Sequence, residues 1–156
     1  MNDAGLVPSL SPTLLLGGAG QLGLALCQLL GKEGLSLPGR AEVDLLNLRQ
    51  LVDWVERLRP RVIINAAAYA QVDQAETEPE LSYQINEQAV AALAEASRRV
   101  GALLVHFSTD YVFDGDGNRP WREEDKPSPL NVYGHSKWQG ELAVMASGCR
   151  HLIFRT

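Results

Sequence analysis

Residues 13–30 read TLLLGGAGQLGLALCQLL. The first four, Thr13 to Leu16, form a short apolar run that suits a buried strand, and Gly17-Gly18 stops it. From Gln21 onward the apolar residues fall at helical spacing, with Leu22, Leu26, Leu29 and Leu30 on one stripe. The stretch therefore predicts strand, glycine turn, helix. Within it, GGAGQLG sets Gly17, Gly20 and Gly23 at the spacing G-x-x-G-x-x-G.

In this context the glycines have separate uses. The first permits the tight turn, the second lets backbone N–H groups approach a pyrophosphate, and the third lets helix and strand pack closely. The positive end of the helix favours the same negative charge. A turn that binds nothing is the blander alternative; strand before and helix after favour dinucleotide binding.

Outward from that motif the chain alternates. Leu35–Leu37 and Glu42–Asp44 read as two short strands, and Leu48–Arg59 as a helix with Leu51, Val55 and Leu58 inward, closed by Pro60. RVIINAAA at 61–68 is an apolar strand. Leu81–Arg99 is a helix with Leu81, Ile85, Ala89, Ala92 and Ala96 inward, stopped by Gly101. ALLVHFSTDYVF at 102–113 is a strand ending in polar residues. A Gly-, Pro- and charge-rich loop follows over 114–129, then a helix capped by Asn131 that runs to Ala146, then HLIFRT as a sixth strand. Continuous apolar strands between helices predict an α/β fold, a doubly wound parallel sheet covered on both faces, of the Rossmann type. Ligands of such a sheet sit outside the carboxyl ends of its strands.

The 156 residues, 46% of them hydrophobic, suit one domain. Residues 1–12 are expected to be a disordered leader and 13–156 the dinucleotide-binding domain. A net charge of -5 with no basic block argues against a nucleic-acid partner. No apolar run has the length of a signal peptide core or a membrane span, so a cytoplasmic chain is expected. Cys27 and Cys149 have no zinc spacing and read as reduced thiols, and His106, His135 and His151 are too scattered for a metal set. His106 reads as a satisfied core residue, His135 as helix surface, and Trp121 as a peg anchoring its loop.

For the coenzyme, the region after the second strand reads LPGRAEVD. Arg40 can pair with a 2'-phosphate, which favours NADP, while Glu42 keeps NAD open; Arg40 also reads as a solvated surface charge. On the last helix, Tyr133 and Lys137 stand four residues apart and so share a face. A phenol ordinarily titrates near ~10, so proton transfer at neutral pH needs an adjacent cation, which Lys137 can supply. The Thr109 hydroxyl can join them on one substrate carbonyl. The alternative is a half-buried tyrosine anchor, a snorkelling lysine and a strand-end cap.

Together GGAGQLG, NAAAYAQVDQAE, STDYVFDG, PLNVYGHSKWQGE and HLIFRT resemble the dTDP-4-dehydrorhamnose reductases of the extended short-chain dehydrogenase/reductase family, from Leu14 to Thr156. The resemblance implies NAD(P)H-dependent reduction of the C4 keto group of dTDP-4-dehydro-L-rhamnose to dTDP-L-rhamnose, in nucleotide-sugar and surface polysaccharide biosynthesis. It makes Tyr133 the proton donor, gives Lys137 the tuning of Tyr133 and the nicotinamide ribose, and sets Thr109 and Asp110 on the sugar. It runs the coenzyme along Gly20, Gln21 and Leu22, past Asp44 and Leu45, then along Ala68, Tyr69 and Ala70. Asn86 matches an asparagine used structurally near the proton relay, or is a plain helix-face amide.

Two features depart from the family. Some members bridge a dimer through magnesium held by a carboxylate two residues past the third glycine; Ala25 stands there, so no metal site is carried over, and a homodimer stays open. Members also run to nearly twice this length, and the second half supplies most of the nucleotide-sugar pocket, so weak or absent turnover is expected of these 156 residues alone. One rival is a non-catalytic NADP-binding regulatory subunit similar to the β subunit of methionine adenosyltransferase. Another is a nucleotide-sugar epimerase or dehydratase.

Overall fold

The computed structural model describes residues 11–156. Five strands make one parallel sheet: β1 (Thr13–Leu16), β2 (Leu35–Ser36), β3 (Val62–Asn65), β4 (Leu103–Ser108) and β5 (Arg150–Arg155), in the order β2-β1-β3-β4-β5. The helices are α1 (Gln21–Leu30), α2 (Leu48–Leu58), α3 (Val72–Ala75), α4 (Pro79–Tyr83), α5 (Ala89–Val100) and α6 (Val132–Ala146). The chain leaves β1 in one direction to reach β2, then returns across it to β3, so the strand order reverses between β1 and β3. This is a doubly wound sheet, and its switch point lies where Leu16 pairs with Asn65.

β1 and β3 are buried along their whole length, as their unbroken apolar runs require. One face of the sheet presents Leu14, Leu16, Ile63 and Leu104 to Leu51 and Val55 of α2, Leu93 of α5 and Val144 of α6. The other presents Leu15, Val62 and Ile64 to Leu26 and Cys27 of α1. Burying each of these large side chains stabilises the fold by about 1.5–3 kcal/mol. α2 and α6 each start on a capping asparagine, the second as its sequence predicts. Asn47 accepts from Gln50 N at 3.1 Å and Asn131 from Gly134 N at 2.7 Å. α2 ends on Arg59 in the left-handed region (φ 46°), before Pro60.

Several expectations need correction. Glu42–Asp44 is not a strand. Its residues close a turn on Gly39, with Glu42 N on Gly39 O at 2.9 Å and the Glu42 carboxylate accepting from Gly39 N at 2.9 Å, so turn chemistry wins over a short alternating pattern. The described sheet thus has five strands and not six. The second face is not fully covered either: Leu152 and Phe154 of β5 are about half exposed. On α1 the inward residues are Gly23, Leu26 and Cys27, leaving Leu22 and Leu30 partly exposed and Leu29 83% exposed.

The helix expected over 81–99 is three pieces in line. A π turn at Gln84–Gln88 joins α4 to α5, and the buried side carries Ser82, Asn86, Val90, Leu93, Ala94 and Ser97 beside the expected Ala89 and Ala96, while Leu81, Ile85 and Ala92 are only partly buried. The ordered body also begins before Thr13: Pro12 O accepts from Arg61 N at 2.8 Å. The rest of the expected leader, residues 1–10, lies outside the described residues.

Candidate active site

The switch point opens into a cavity of about 550 Å³ between the turn after β1 and the loop after β3. Gly17, Gly20, Arg40, Asp44, Leu45 and Ala68 line it, as does Ile85 of the π turn. Gly17 has φ 81°, and a Cβ on it would lie 2.6 Å from Ala67 N, so the turn and the loop touch backbone to backbone. Gly23 is needed for a related reason: a Cβ there would run into the Gly17 carbonyl, within the turn itself. α1 starts at Gln21 with no side-chain cap on its first N–H groups. Gln21 and Leu22 begin α1 beside the cavity, while Tyr69 and Ala70 lie beyond its lining.

Arg40 stands at the rim with its side chain 80% exposed, 3.9 Å from Asp44, an ion pair too exposed to fix it. Asp44 is tied into the start of α2 instead: its N–H donates to Gln50 at 3.0 Å and its carboxylate accepts from Leu46 N at 3.1 Å. The cavity is walled at this end by Leu37, Val43 and Leu45. Leu37, one residue past β2, and Val43, in the turn misread as strand, were not marked as cavity residues by the sequence.

The second half of the site gathers at the carboxyl end of β4. Thr109 follows β4 and caps a short 3₁₀ turn at Asp110–Val112, its hydroxyl accepting from Tyr111 N at 3.2 Å and donating to Asp110 at 3.3 Å. Tyr133 on the first turn of α6 is half-buried, with Tyr111 edge-on to it at 5.7 Å. Burial pushes its phenol above the usual range; the Thr109 hydroxyl beside it opposes that rise, and the charge of Asp110 adds to it.

Lys137 is 2% exposed, and its Nζ donates to Phe107 O at 2.6 Å. Burial lowers its ammonium to about 8, with the Glu141 carboxylate opposing the fall. In this structure the Lys137 ammonium donates inward to β4, and burial leads the shift of the Tyr133 phenol. Glu141 in turn holds Arg155 at 2.7 Å in a two-pronged pair.

Asn86 is no helix-face amide. It is buried and accepts from Tyr69 N at 2.9 Å, while its Nδ2 donates to Tyr69 O at 3.0 Å and to Ser136 Oγ at 3.0 Å. Ser136 also meets Ser82 at 2.9 Å and donates to Tyr133 O at 2.8 Å. This network joins the loop after β3 to the helix that carries Tyr133 and Lys137, and Ser82 and Ser136 were not anticipated. Their signal was two serines on otherwise apolar helix faces, which an apolar-only count passes over. The Tyr69 phenol points elsewhere, donating to Glu78 at 2.7 Å and pushed up to about 12 by burial and that carboxylate.

Elsewhere, Trp121 stacks on Phe113 at 4.5 Å and does peg its loop, and His135 is exposed. Among the described residues no helix is long and apolar enough to cross a membrane, and no cluster of three or more His, Cys, Asp or Glu could hold a metal ion.

Comparison with known proteins agrees with this architecture. The dTDP-4-dehydrorhamnose reductase of Salmonella typhimurium strain LT2 is 46% identical over 148 residues, which cover 92% of this chain and 50% of that protein. The reductase of the same name from Burkholderia thailandensis is 46% identical over 144 residues, covering 92% and 48%. The crystal structure of dTDP-4-dehydrorhamnose reductase from Bacillus anthracis in complex with NADP matches with a TM-score of 0.88 at 40% identity, over 92% of this chain and 52% of that one. The chain thus spans about half the length of the relatives it matches. A family model described as RmlD substrate binding domain matches from residue 11 to residue 156, the whole of the described chain, and the chain belongs to that family.

Proposed function

We propose that residues 13–156 form the coenzyme-binding and proton-delivering part of an NAD(P)H-dependent reductase acting on the C4 ketone of dTDP-4-dehydro-L-rhamnose. One observation carries this reading: Tyr133, Thr109 and Lys137 gather at the same carboxyl edge of the sheet as the cavity beneath the glycine turn. The chain's likeness to reductases named for that sugar supports the substrate.

The cavity fits a dinucleotide. Its pyrophosphate would lie at the uncapped start of α1 against Gly17 and Gly20, and its adenine end against Leu37, Val43 and Leu45. Arg40 at the rim favours a 2'-phosphate, hence NADPH over NADH. When bound, the reduced nicotinamide supplies the hydride that forms the new C–H bond at C4. Tyr133 gives its phenolic proton to the oxygen as the carbonyl electron pair moves onto it, and Thr109 and Asp110 hold the sugar. A phenol raised by burial keeps its proton until needed, and the Lys137 ammonium offsets the phenolate left behind.

Titration of this chain with NADPH and NADH, followed by NADPH oxidation in the presence of the keto sugar, tests the proposal. Dinucleotide binding with little turnover is expected, since the sugar pocket is shared with the half that the relatives carry in addition. Tyr133→Phe should keep binding and remove roughly 10²–10⁴-fold of whatever turnover is seen. Arg40→Ala should weaken NADPH about tenfold and leave NADH unchanged. A chain that binds neither dinucleotide would sink the reading.

A further inference from the structure

β4 carries two buried polar side chains that the mechanism does not use. His106 is fully buried and Ser108 is 4% exposed. They lie two residues apart, so both point to one face of the strand, the face that also presents Leu104 to α5 and α6. Lys137 of α6 packs against the same stretch through the Phe107 carbonyl.

The neighbouring amide fixes the imidazole's proton. Asn65 Oδ1 accepts from Ala67 N at 3.3 Å, so Nδ2 is the end that meets His106 Nδ1 at 3.2 Å. An amide N–H only donates, so Nδ1 accepts and the ring proton sits on Nε2. That Nε2–H and the Ser108 hydroxyl are both buried with no hydrogen-bond partner among the described protein atoms. Buried polar groups of this kind hold ordered water.

We propose that His106 Nε2–H and Ser108 Oγ form a seat for one internal water molecule that solvates the inner side of the Lys137 ammonium. The water accepts from the imidazole and from Lys137, and donates to Ser108. His106 and Ser108 are then positioning residues that act through Lys137, and this functional consequence rests on the proton-relay role given to Lys137 above. Asn65 passes the same register on to Ala67 in the loop that lines the coenzyme cavity.

The surroundings are consistent with a neutral imidazole. Burial, with the Lys137 charge, lowers His106 to about 3. The charged groups on this side are Lys137 and Glu141 from α6, with Glu141 paired to Arg155 of β5. β3 contributes the neutral Asn65, and the buried residues of α5 are Ala89, Val90, Leu93, Ala94, Ala96 and Ser97.

The test is nitrogen NMR on the 156-residue chain labelled at histidine and lysine. The His106 ring should stay neutral with its proton on Nε2 from pH ~8 to ~5, and that proton should show a cross-peak to a long-lived water. In Ser108→Ala and His106→Leu the ammonium loses solvation, so Lys137 should titrate at lower pH than in the parent chain, and His106→Gln, which keeps an N–H, should restore most of the loss. Ser108→Ala is nearly isosteric and carries the test if His106→Leu does not fold. A proton on Nδ1, a ring that titrates near the ordinary histidine range, or a Lys137 titration unmoved by Ser108→Ala would overturn the inference. None of these measurements uses sugar or coenzyme, so failure of the proposed reduction would leave the water site standing, and the reverse also holds.

Discussion

The two faces of the sheet are built to different standards. Under α2, α5 and α6 lies a continuous core that runs from Leu14 and Leu16 through Ile63 and Leu104 to Val144 and Cys149, with all of these side chains buried. On the opposite face, α1 covers Leu15, Val62 and Ile64, and beyond it Leu103, Val105 and Phe107 are only partly shielded. At the far edge Phe154 has Phe107 stacked beside it at 5.6 Å and is itself about half exposed. The same parallel strands therefore show two sequence logics: fully buried β1 and β3, and an alternating β5. The difference teaches that the cavity beneath the glycine turn belongs to the finished part of the fold, since both strands that frame it are closed on both faces.

The largest expected effect comes from the polar anchor of β5. Arg155→Ala strands the Glu141 carboxylate, a buried group, without its partner, and should cost about 3–5 kcal/mol in urea denaturation. A loss under ~1 kcal/mol would mean that the edge strand is held by something other than this pair.

Next in size is a matched pair of truncations, one on each face. Leu104→Ala should cost about 3 kcal/mol, because its site is closed and leaves a cavity. Leu152→Ala, from a residue 48% exposed, should cost under about 1 kcal/mol. Equal losses would erase the distinction between the faces. Between them, Leu26→Ala on α1 should fall at about 1–2 kcal/mol, since that side chain is half-buried against the thinner layer.

The smallest effect concerns the loop over 114–129, which Trp121 pegs to Phe113. Arg119 holds both oxygens of Asp125 at 2.7 and 2.8 Å, and Arg122 N donates to the same carboxylate at 2.8 Å. These bonds keep the Asp125 carboxyl at about 2, led by the Arg119 contact. A carboxyl lowered by folding stabilises the folded loop above its ordinary value, and that contribution is lost as pH falls through the folded value. Trp121 emission should therefore change between pH ~4 and ~2, while Asp125→Asn should show the altered signal already at neutral pH.

Much of this was legible in the residues. The glycine turn announced β1 and α1 because tight turns and close backbone contacts leave glycine few substitutes, and Asn131 announced the start of α6 because its side chain must satisfy a free N–H. What the sequence concealed had physical reasons as well. Glu42–Asp44, with Val43 between two acidic residues, has the alternation of a short strand, yet Pro38-Gly39 ahead of it supplies a turn whose bonds compete locally. The π turn hid behind apolar residues spaced uniformly by four, from Leu81 to Ala89. That spacing is wider than 3.6, and the drift was itself the signal. In the site, Tyr133, Thr109 and Lys137 were marked by side-chain chemistry, while the joining network of Asn86, Ser82 and Ser136 was not. Its members are small polar residues whose value comes from contacts 50 and 54 positions apart.

Two hydrogen bonds at Thr156 give the molecule a convenient handle. The amide of Asp110 donates to the Thr156 carbonyl at 3.1 Å, and the Thr156 hydroxyl donates to Ser108 O at 3.3 Å. Residue 156 is therefore pinned within a few ångströms of Thr109. A dye, spin label or short peptide grafted onto that residue would be held beside Thr109 at millimolar effective concentration, giving a built-in reporter of whatever approaches the carboxyl end of β4.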